Sequence, residues 1–398
     1  MPDRRADVLI AGAGPAGAAC AETLRAHGFD GSILLAGREA DPPYDRPPAS
    51  KSYLTGRSSR EQHALHPDGF WDEQRIELRT RTSVMKLNAG ARVATLSTRE
   101  SLGFDRALIA TGANVRRLRV DGGTLEGIHY LRALGNADAI RADAGRADRA
   151  VLVGGSFIAC EVAASLTSMG VRCTLVMMES LPLSNAFGPF VGEWCAGLLR
   201  SRGVEVRGGE TLARFEGDEG EGARVRRVVC ESGLTLEADL VVLGTGAVPD
   251  VLLARAAGLE LGETGGVRCD PALRTSAENV WAAGDVCEFE SVLYDRRLRV
   301  EHWEVARAQG AHVARAMLGA GEPFAEVPYF WTDLGDWATI EYVGAARGWT
   351  DEVVHGDVDA GAFSVFQLEA GRVAGAVSVG GAGDLELARR LIVERAAL

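Results

Sequence analysis

Val8-Leu9-Ile10-Ala11-Gly12-Ala13-Gly14-Pro15-Ala16-Gly17, running on to Leu24, decides how this chain reads. Four apolar residues predict a short buried strand. Gly12, Gly14 and Gly17 follow at G-x-G-x-x-G spacing, and the small residues from Ala18 to Leu24 predict a helix. Strand, tight turn and helix N-terminus together make a dinucleotide cradle. Gly12 permits the turn, Gly14 lets backbone approach a pyrophosphate, and Gly17 lets helix and strand pack closely. Exposed N–H groups and the helix dipole then favour phosphate charge. A second predicted strand, Ser32-Ile33-Leu34-Leu35-Ala36-Gly37, ends just before Glu39. A carboxylate there can accept hydrogen bonds from both hydroxyls of an adenosine ribose.

Composition sets the outer bounds. The 398 residues suffice for two to four domains. No apolar run approaches the 18 or so residues of a membrane span. Met1-Pro2-Asp3-Arg4-Arg5 leads straight into a strand without a signal-peptide pattern, so a soluble, cytoplasmic protein is expected. A net charge of −12 argues against nucleic acid as the main partner. The cysteines, Cys20, Cys160, Cys173, Cys195, Cys230, Cys269 and Cys287, are odd in number and form no C-x-x-C pair. They predict neither a disulfide framework nor a metal site, and read as small core residues.

Further along, the prolines of Pro42-Pro43-Tyr44-Asp45-Arg46-Pro47-Pro48-Ala49-Ser50-Lys51 predict a rigid, extended loop without helix. Short antiparallel strands are expected around Val84, Leu87, Val93 and Leu96. Phe104 to Ala113 predicts another buried strand, ending at Ala110-Thr111-Gly112. A second nucleotide unit follows: strand Ala150-Val151-Leu152-Val153, then Gly154-Gly155-Ser156-Phe157-Ile158-Ala159, then a helix from Cys160 to about Met169. Its fingerprint is degraded, with Ser156 in the place of the second glycine and Ala159 in that of the third. The next strand ends at Met177-Met178-Glu179, where an acid is expected at 177; Glu179 stands two residues late. A structural βαβ unit without ligand stays open for this segment. Residues 204–243 read as strands, with a solvated hairpin tip from Gly217 through Glu221 to Gly222. Leu240 to Gly246 repeats the pattern of apolar run then Thr-Gly. Ala283-Gly284-Asp285 closes another apolar strand, Glu301-His302-Trp303 opens a helix, and residues 323–398 read as strands with a closing helix.

Taken together, these motifs resemble the FAD-dependent pyridine-nucleotide oxidoreductases. Within them the chain looks most like the ferredoxin reductases of oxygenase systems, a branch shared with apoptosis-inducing factor. The proline loop ending in Ser50-Lys51 and the segment Glu301-His302-Trp303 are the most branch-specific matches. The resemblance implies an α/β fold with two Rossmann-like nucleotide-binding domains, as in glutathione reductase, and a C-terminal α+β domain. It divides the chain into an FAD domain (1–113 and 240–318), an NAD(P)H domain (114–239) and an interface domain (319–398). It implies that Lys51 and Glu161 form the catalytic pair beside the reactive flavin nitrogen and the nicotinamide. FAD would be held by Gly12, Gly14, Pro15, Ala16, Gly17, Glu39, Arg46, Ala110, Thr111 and Gly112. Gly246, Gly284, Asp285, Glu301, His302 and Trp303 complete that set, with Asp285 on the ribityl chain and Trp303 against the ring. The nicotinamide dinucleotide would take Gly154, Gly155, Ser156, Phe157, Ile158 and Met177.

Met177 stands where the family has an acid and Asn185 where it often has arginine, so NADH is expected as donor with NADPH as the alternative. No cysteine lies between Cys20 and Cys160, which leaves no thiol relay. The expected partner is a small iron–sulfur ferredoxin, or a rubredoxin, docking on a local basic patch for which Arg296, Arg297 and Arg299 are candidates; a plain solvated turn is the competing reading. The chain is expected to be a monomer or weak homodimer. Two rival functions remain open here: an NADH oxidase or quinone reductase, and a redox-sensing flavoprotein resembling apoptosis-inducing factor.

Overall fold

The computed structural model describes residues 2–220 and 222–398; Met1 and the hairpin-tip residue Glu221 lie outside the described residues. The strand read from Val8 starts earlier, at Arg4, and runs to Ala11. It lies inside a seven-stranded sheet. Its neighbours are Ile33–Ala36 on one side and Ser101–Ile109 on the other, both parallel to it. Ile76–Arg79 extends the sheet beyond Ile33–Ala36. The far edge of Ser101–Ile109 is shared. Its first residues pair with Val93–Leu96 of an antiparallel hairpin, and its last three pair with Val280–Ala282. Thus a strand from near residue 280 returns to complete the sheet begun at residue 4.

The helix Pro15–Ala26 starts where proline is best tolerated, at the first helical position. Its small residues let the helix Trp303–Met317 come to backbone contact. A Cβ added at Gly310 would lie 2.0 Å from the carbonyl oxygen of Ala16. This close crossing locks the first glycine loop against the chain's later half.

A second, five-stranded sheet is all parallel, in the order Glu205–Arg207, Arg172–Val176, Arg149–Val153, Leu240–Leu243, Ile128–Tyr130. Helix Phe157–Ser168 covers one face. Three antiparallel strands between Leu212 and Glu237 cover the other, and Phe215, Val225 and Val228 pack there against Val151, Val153 and Val241. Leu240–Leu243 therefore belongs to the second sheet, not to the first domain that the boundary at 240 assigned it to. The crossovers are Ala113–Val115 and Ala247–Pro249, which pair with each other between the two sheets. The second glycine helix also starts earlier than expected, at Phe157.

The C-terminal segment forms a five-stranded antiparallel sheet, Tyr329–Leu334 to Arg372–Val379, closed by helix Leu385–Glu394. Its Phe330, Phe363 and Val365 share one core with Val162, Phe187 and Val191. The proline segment also departs from expectation. Pro47–Ser50 is a single 3₁₀ turn rather than extended chain. Two prolines can start such a turn, because their fixed φ suits its first positions and no earlier carbonyl needs their missing N–H.

Candidate functional site

A cavity of about 630 Å³ runs between the sheets. The first glycine loop forms part of its wall. Gly12 has φ +124°, and a Cβ there would meet the Ala110 carbonyl oxygen at 2.1 Å. At Gly17 a Cβ would lie 1.9 Å from the Gly12 carbonyl oxygen. By contrast, nothing lies within 4 Å of a Cβ at Gly14, which caps the helix N-terminus. No acidic side chain occupies that helix's first turn, so its dipole is unneutralised. The loop is closed on the protein side and open on the cavity side, as a pyrophosphate cradle requires.

Glu39 stands at the end of its strand as the sequence predicted, held by two partners. Arg46 makes an ion pair at 2.7 Å and the Tyr44 hydroxyl donates at 2.6 Å. Burial works against the charged carboxylate, but Arg46 and Tyr44 outweigh it and hold the group below its ordinary value. Arg46 also donates to the carbonyl of Arg132, and Arg132 pairs with Asp285 at 2.8 Å. Two ion pairs, Glu39–Arg46 and Arg132–Asp285, thus line the cavity wall and are joined through the Arg132 carbonyl.

Lys51 and Glu161 meet at 2.8 Å, with Glu161 almost wholly buried. Lys51 follows the 3₁₀ turn of the proline segment. Glu161 lies on the second glycine helix, one turn before Ser165, whose hydroxyl donates to the Ser50 carbonyl at 2.7 Å. The Ser50 hydroxyl donates to Glu161, and Thr332 of the C-terminal sheet donates to its other oxygen at 2.7 Å. Two distant parts of the chain, residues 50–51 and Thr332, therefore saturate one buried carboxylate, as burial of a charge demands.

Close by, the His302 ring stacks on Phe330 with centroids 3.9 Å apart. Burial pushes the His302 imidazole down to about 4, against the opposing pull of Asp285. It is therefore neutral near pH 7. The Trp303 indole N–H is buried without a protein partner among the described residues, and Trp303 lines the same cavity. An open glycine cradle, a positioned acid and an orphaned donor fit an elongated dinucleotide cofactor.

The second glycine loop repeats this geometry. Gly154 has φ +117°, and a Cβ would meet the Gly244 carbonyl oxygen at 2.4 Å. Ser156 replaces glycine here for a visible reason. It caps the helix, and its hydroxyl is turned back to donate to the Gly244 carbonyl at 2.7 Å.

All the residues expected at the site line the large cavity except Gly17, Gly154, Gly155 and Met177. Gly17 packs behind its loop, and Gly154 and Gly155 belong to the second loop. Met177 is different: its side chain is 1% exposed and sits in the core beneath that loop. It continues the inward alternation of Cys173 and Leu175, so its thioether faces protein rather than ligand.

The arginines of the candidate basic patch carry internal partners. Arg296 pairs with Glu369 at 2.8 Å and donates to the Ala345 carbonyl. Arg297 donates to the Cys269 carbonyl at 3.0 Å, and Arg299 to the Asp285 carbonyl at 3.2 Å while pairing with Glu301. Each of these arginines is partly buried and paired with an acid, Arg296 with Glu369, Arg297 with Glu290 and Arg299 with Glu301. All seven cysteines are buried free thiols; burial pushes Cys173 up to about 11 and Cys195 to about 12, which leaves both protonated and inert.

Residues 6–310 match the pyridine nucleotide-disulphide oxidoreductase family, and residues 329–398 match the reductase C-terminal family. The chain belongs to the pyridine nucleotide-disulphide oxidoreductases. It is 36% identical over 388 residues to the ferredoxin–NAD(+) reductase component of the anthranilate 1,2-dioxygenase system of Burkholderia cepacia, covering 96% of this chain and 93% of that one. Among solved structures it is similar to the ferredoxin reductase for the CYP199A2 system from Rhodopseudomonas palustris. That match has a TM-score of 0.93 and 32% identity, covering 100% of this chain and 96% of the other. It is also similar to putidaredoxin reductase in its covalent complex with putidaredoxin, with a TM-score of 0.92 and 33% identity over 99% and 94% of the two chains.

The fold expected from the sequence agrees with these relatives. Sequence reasoning gave no role to Tyr44, Ser50, Arg132, Phe330 or Thr332. Tyr44 and Ser50 lay inside a quoted motif, whereas Arg132 and Thr332 carry no local signal. Among the described residues, no helix of this oxidoreductase is long and apolar enough to cross a membrane, and no group of three or more His, Cys, Asp or Glu side chains could hold a metal ion.

Proposed function

We propose that this chain is an FAD-containing NADH:ferredoxin reductase that feeds an oxygenase. The observation that carries the reading is the Lys51–Glu161 pair at 2.8 Å. It lies in the wall of the cavity shared by the first glycine loop and the helix of the second, where the reactive ends of two dinucleotides can meet.

In this reading residues 2–115 and 247–318 hold FAD, residues 116–246 hold the nicotinamide dinucleotide, and residues 319–398 cover the junction. Bound FAD would supply the two-electron to one-electron conversion, taking a hydride and passing single electrons to two iron–sulfur carriers in turn. The chain's own residues position and tune. Gly12, Gly14, Pro15, Ala16 and the free N–H groups of the first helix cradle the pyrophosphate. Glu39 accepts the ribose hydroxyls, with Arg46 and Tyr44 fixing its carboxylate. Asp285, held by Arg132, faces the polyhydroxyl chain. Lys51 presents a fixed positive charge at the cavity wall, and Glu161, saturated by Ser50 and Thr332, holds that ammonium in place. Trp303 and His302 close the far side and exclude water from the reacting face.

With every thiol buried, electrons have no cysteine route and leave directly for an outside acceptor. NADH is the donor in this reading, with NADPH poorer. The test is turnover of cytochrome c with NADH in the presence and absence of a small [2Fe–2S] ferredoxin. Turnover that needs the ferredoxin supports the reading. Equal turnover without it, through oxygen or a quinone, removes it.

A further inference from the structure

The end of the strand Arg172–Val176 lacks an acid at the position where a ribose acceptor is expected, and Met177 is sealed in the core. Glu179 lies two residues on, in a bend past the end of the strand, and is half-buried where Met177 is sealed. It bends back over the second glycine loop: its Oε2 is 3.3 Å from where a Cβ of Gly155 would sit. Asn185 fixes this carboxylate, its Nδ2 donating to Glu179 Oε1 at 2.9 Å. The segment between them is pinned to the same loop, with the Leu183 N–H donating to the Gly155 carbonyl at 2.8 Å. On its other flank the Gly209 N–H donates to the Glu179 carbonyl at 3.0 Å. A half-buried carboxylate, held at a defined place beside a dinucleotide-type glycine turn, is what a missing acid at 177 would otherwise supply.

A basic side chain nearby in the sheet is engaged elsewhere. The adjacent edge strand carries Arg207, but its guanidinium is paired with Glu205. Arg207 follows the inward-facing Val206 and so points to the sheet face opposite the one that Met177 and the glycine helix share.

We propose that Glu179, oriented by Asn185, accepts the hydroxyls of the adenosine ribose of the nicotinamide dinucleotide and excludes a 2′-phosphate. This rests on the reading that the second glycine loop binds that dinucleotide. Substrate choice in this chain is thus set by a relocated acid rather than lost with Met177. Asn185 is a positioning residue. It holds the carboxylate toward the loop and touches no reacting atom.

The test uses the FAD-loaded protein and two dead-end ligands, ADP-ribose and its 2′-phosphate, titrated by calorimetry, alongside kcat/KM for NADH and NADPH. Wild type should bind ADP-ribose more tightly. Glu179→Gln should weaken ADP-ribose roughly tenfold or more, the weight of a charge-assisted pair of hydrogen bonds, while leaving the 2′-phosphate unchanged or tighter. Glu179→Lys should reverse the preference. Asn185→Ala should move the ratio the same way by less, raising the KM for NADH while kcat holds. Arg207→Ala should leave the ratio as in wild type. A Glu179→Gln ratio equal to wild type, or a wild type preferring the 2′-phosphate, overturns the proposal while leaving the loop a dinucleotide site. Failure to bind either ligand removes the loop's role and the proposal together.

Discussion

Substituting alanine for glycine in two helices of this protein should change stability in opposite directions. Gly310 and Gly197 both lie inside regular helices, Trp303–Met317 and Pro189–Ser201. On helix propensity alone each Gly→Ala change stabilises by about 0.8–1.0 kcal/mol. The surroundings differ. A Cβ at Gly197 meets nothing within 4 Å, whereas at Gly310 it would lie 2.0 Å from the Ala16 carbonyl oxygen, 2.8 Å from its carbon and 3.0 Å from its Cα. Real Cβ contacts do not go below 3.0 Å, so the two helices must separate by about 1 Å. All three clashing atoms are backbone, so no rotamer change relieves them. Overpacking of this kind costs about 1–3 kcal/mol, which exceeds the propensity gain. The displaced helix also carries Gly14, so the cradle moves with it. The assay is urea unfolding followed by circular dichroism, with FAD release read by fluorescence. Gly197→Ala should raise the midpoint. Gly310→Ala should lower it and should release FAD earlier. If Gly310→Ala stabilises the protein as Gly197→Ala does, the close crossing of the two helices is wrong.

Glu39→Ala should weaken FAD binding by about 1.5–3 kcal/mol, roughly ten- to hundredfold in Kd, because it removes a charged acceptor and strands Arg46; an unchanged Kd by apoprotein titration would refute that role. Lys51→Ala leaves the buried Glu161 carboxylate with two hydroxyls and no cation, a loss of about 3–5 kcal/mol in stability. It should slow flavin reduction in stopped flow, whereas Lys86→Ala should change neither quantity. His302 titrates near 4 in the fold and near 6.5 when unfolded, so unfolding takes up a proton between those values. Stability should therefore fall as pH drops from about 6.5 to about 4, by about 2–3 kcal/mol, and this limb should vanish in His302→Phe.

Local pattern made the two glycine units, the acid at Glu39 and the Glu-His-Trp helix readable, because each depends on neighbours within a few residues. What the sequence hid depends on distant partners. Thr332 reaches Glu161 across 171 positions and Arg132 reaches Asp285 across 153, with no periodic signal at either end. Arg296 looked free because its partner Glu369 lies far along the chain, whereas Arg297 and Arg299 pair with acids close in sequence, Glu290 and Glu301. Leu240–Leu243 is apolar on both faces, which announces a buried strand but not which sheet holds it. Pairing register assigned it to the second sheet. Met177 was misread for a different reason. The alternation of Cys173, Leu175 and Met177 was visible and already pointed inward.

The central claim is that electrons pass from NADH through FAD to a separate iron–sulfur protein. Its most direct test is a double-mixing stopped-flow measurement: reduce the FAD-loaded protein anaerobically with one equivalent of NADH, then mix with oxidised [2Fe–2S] ferredoxin and follow both chromophores. The account predicts that the flavin reoxidises as two equivalents of ferredoxin bleach, at matching rates that rise with ferredoxin concentration. A flavin that stays reduced in the presence of ferredoxin, and reoxidises only when oxygen or a quinone is admitted, would contradict it.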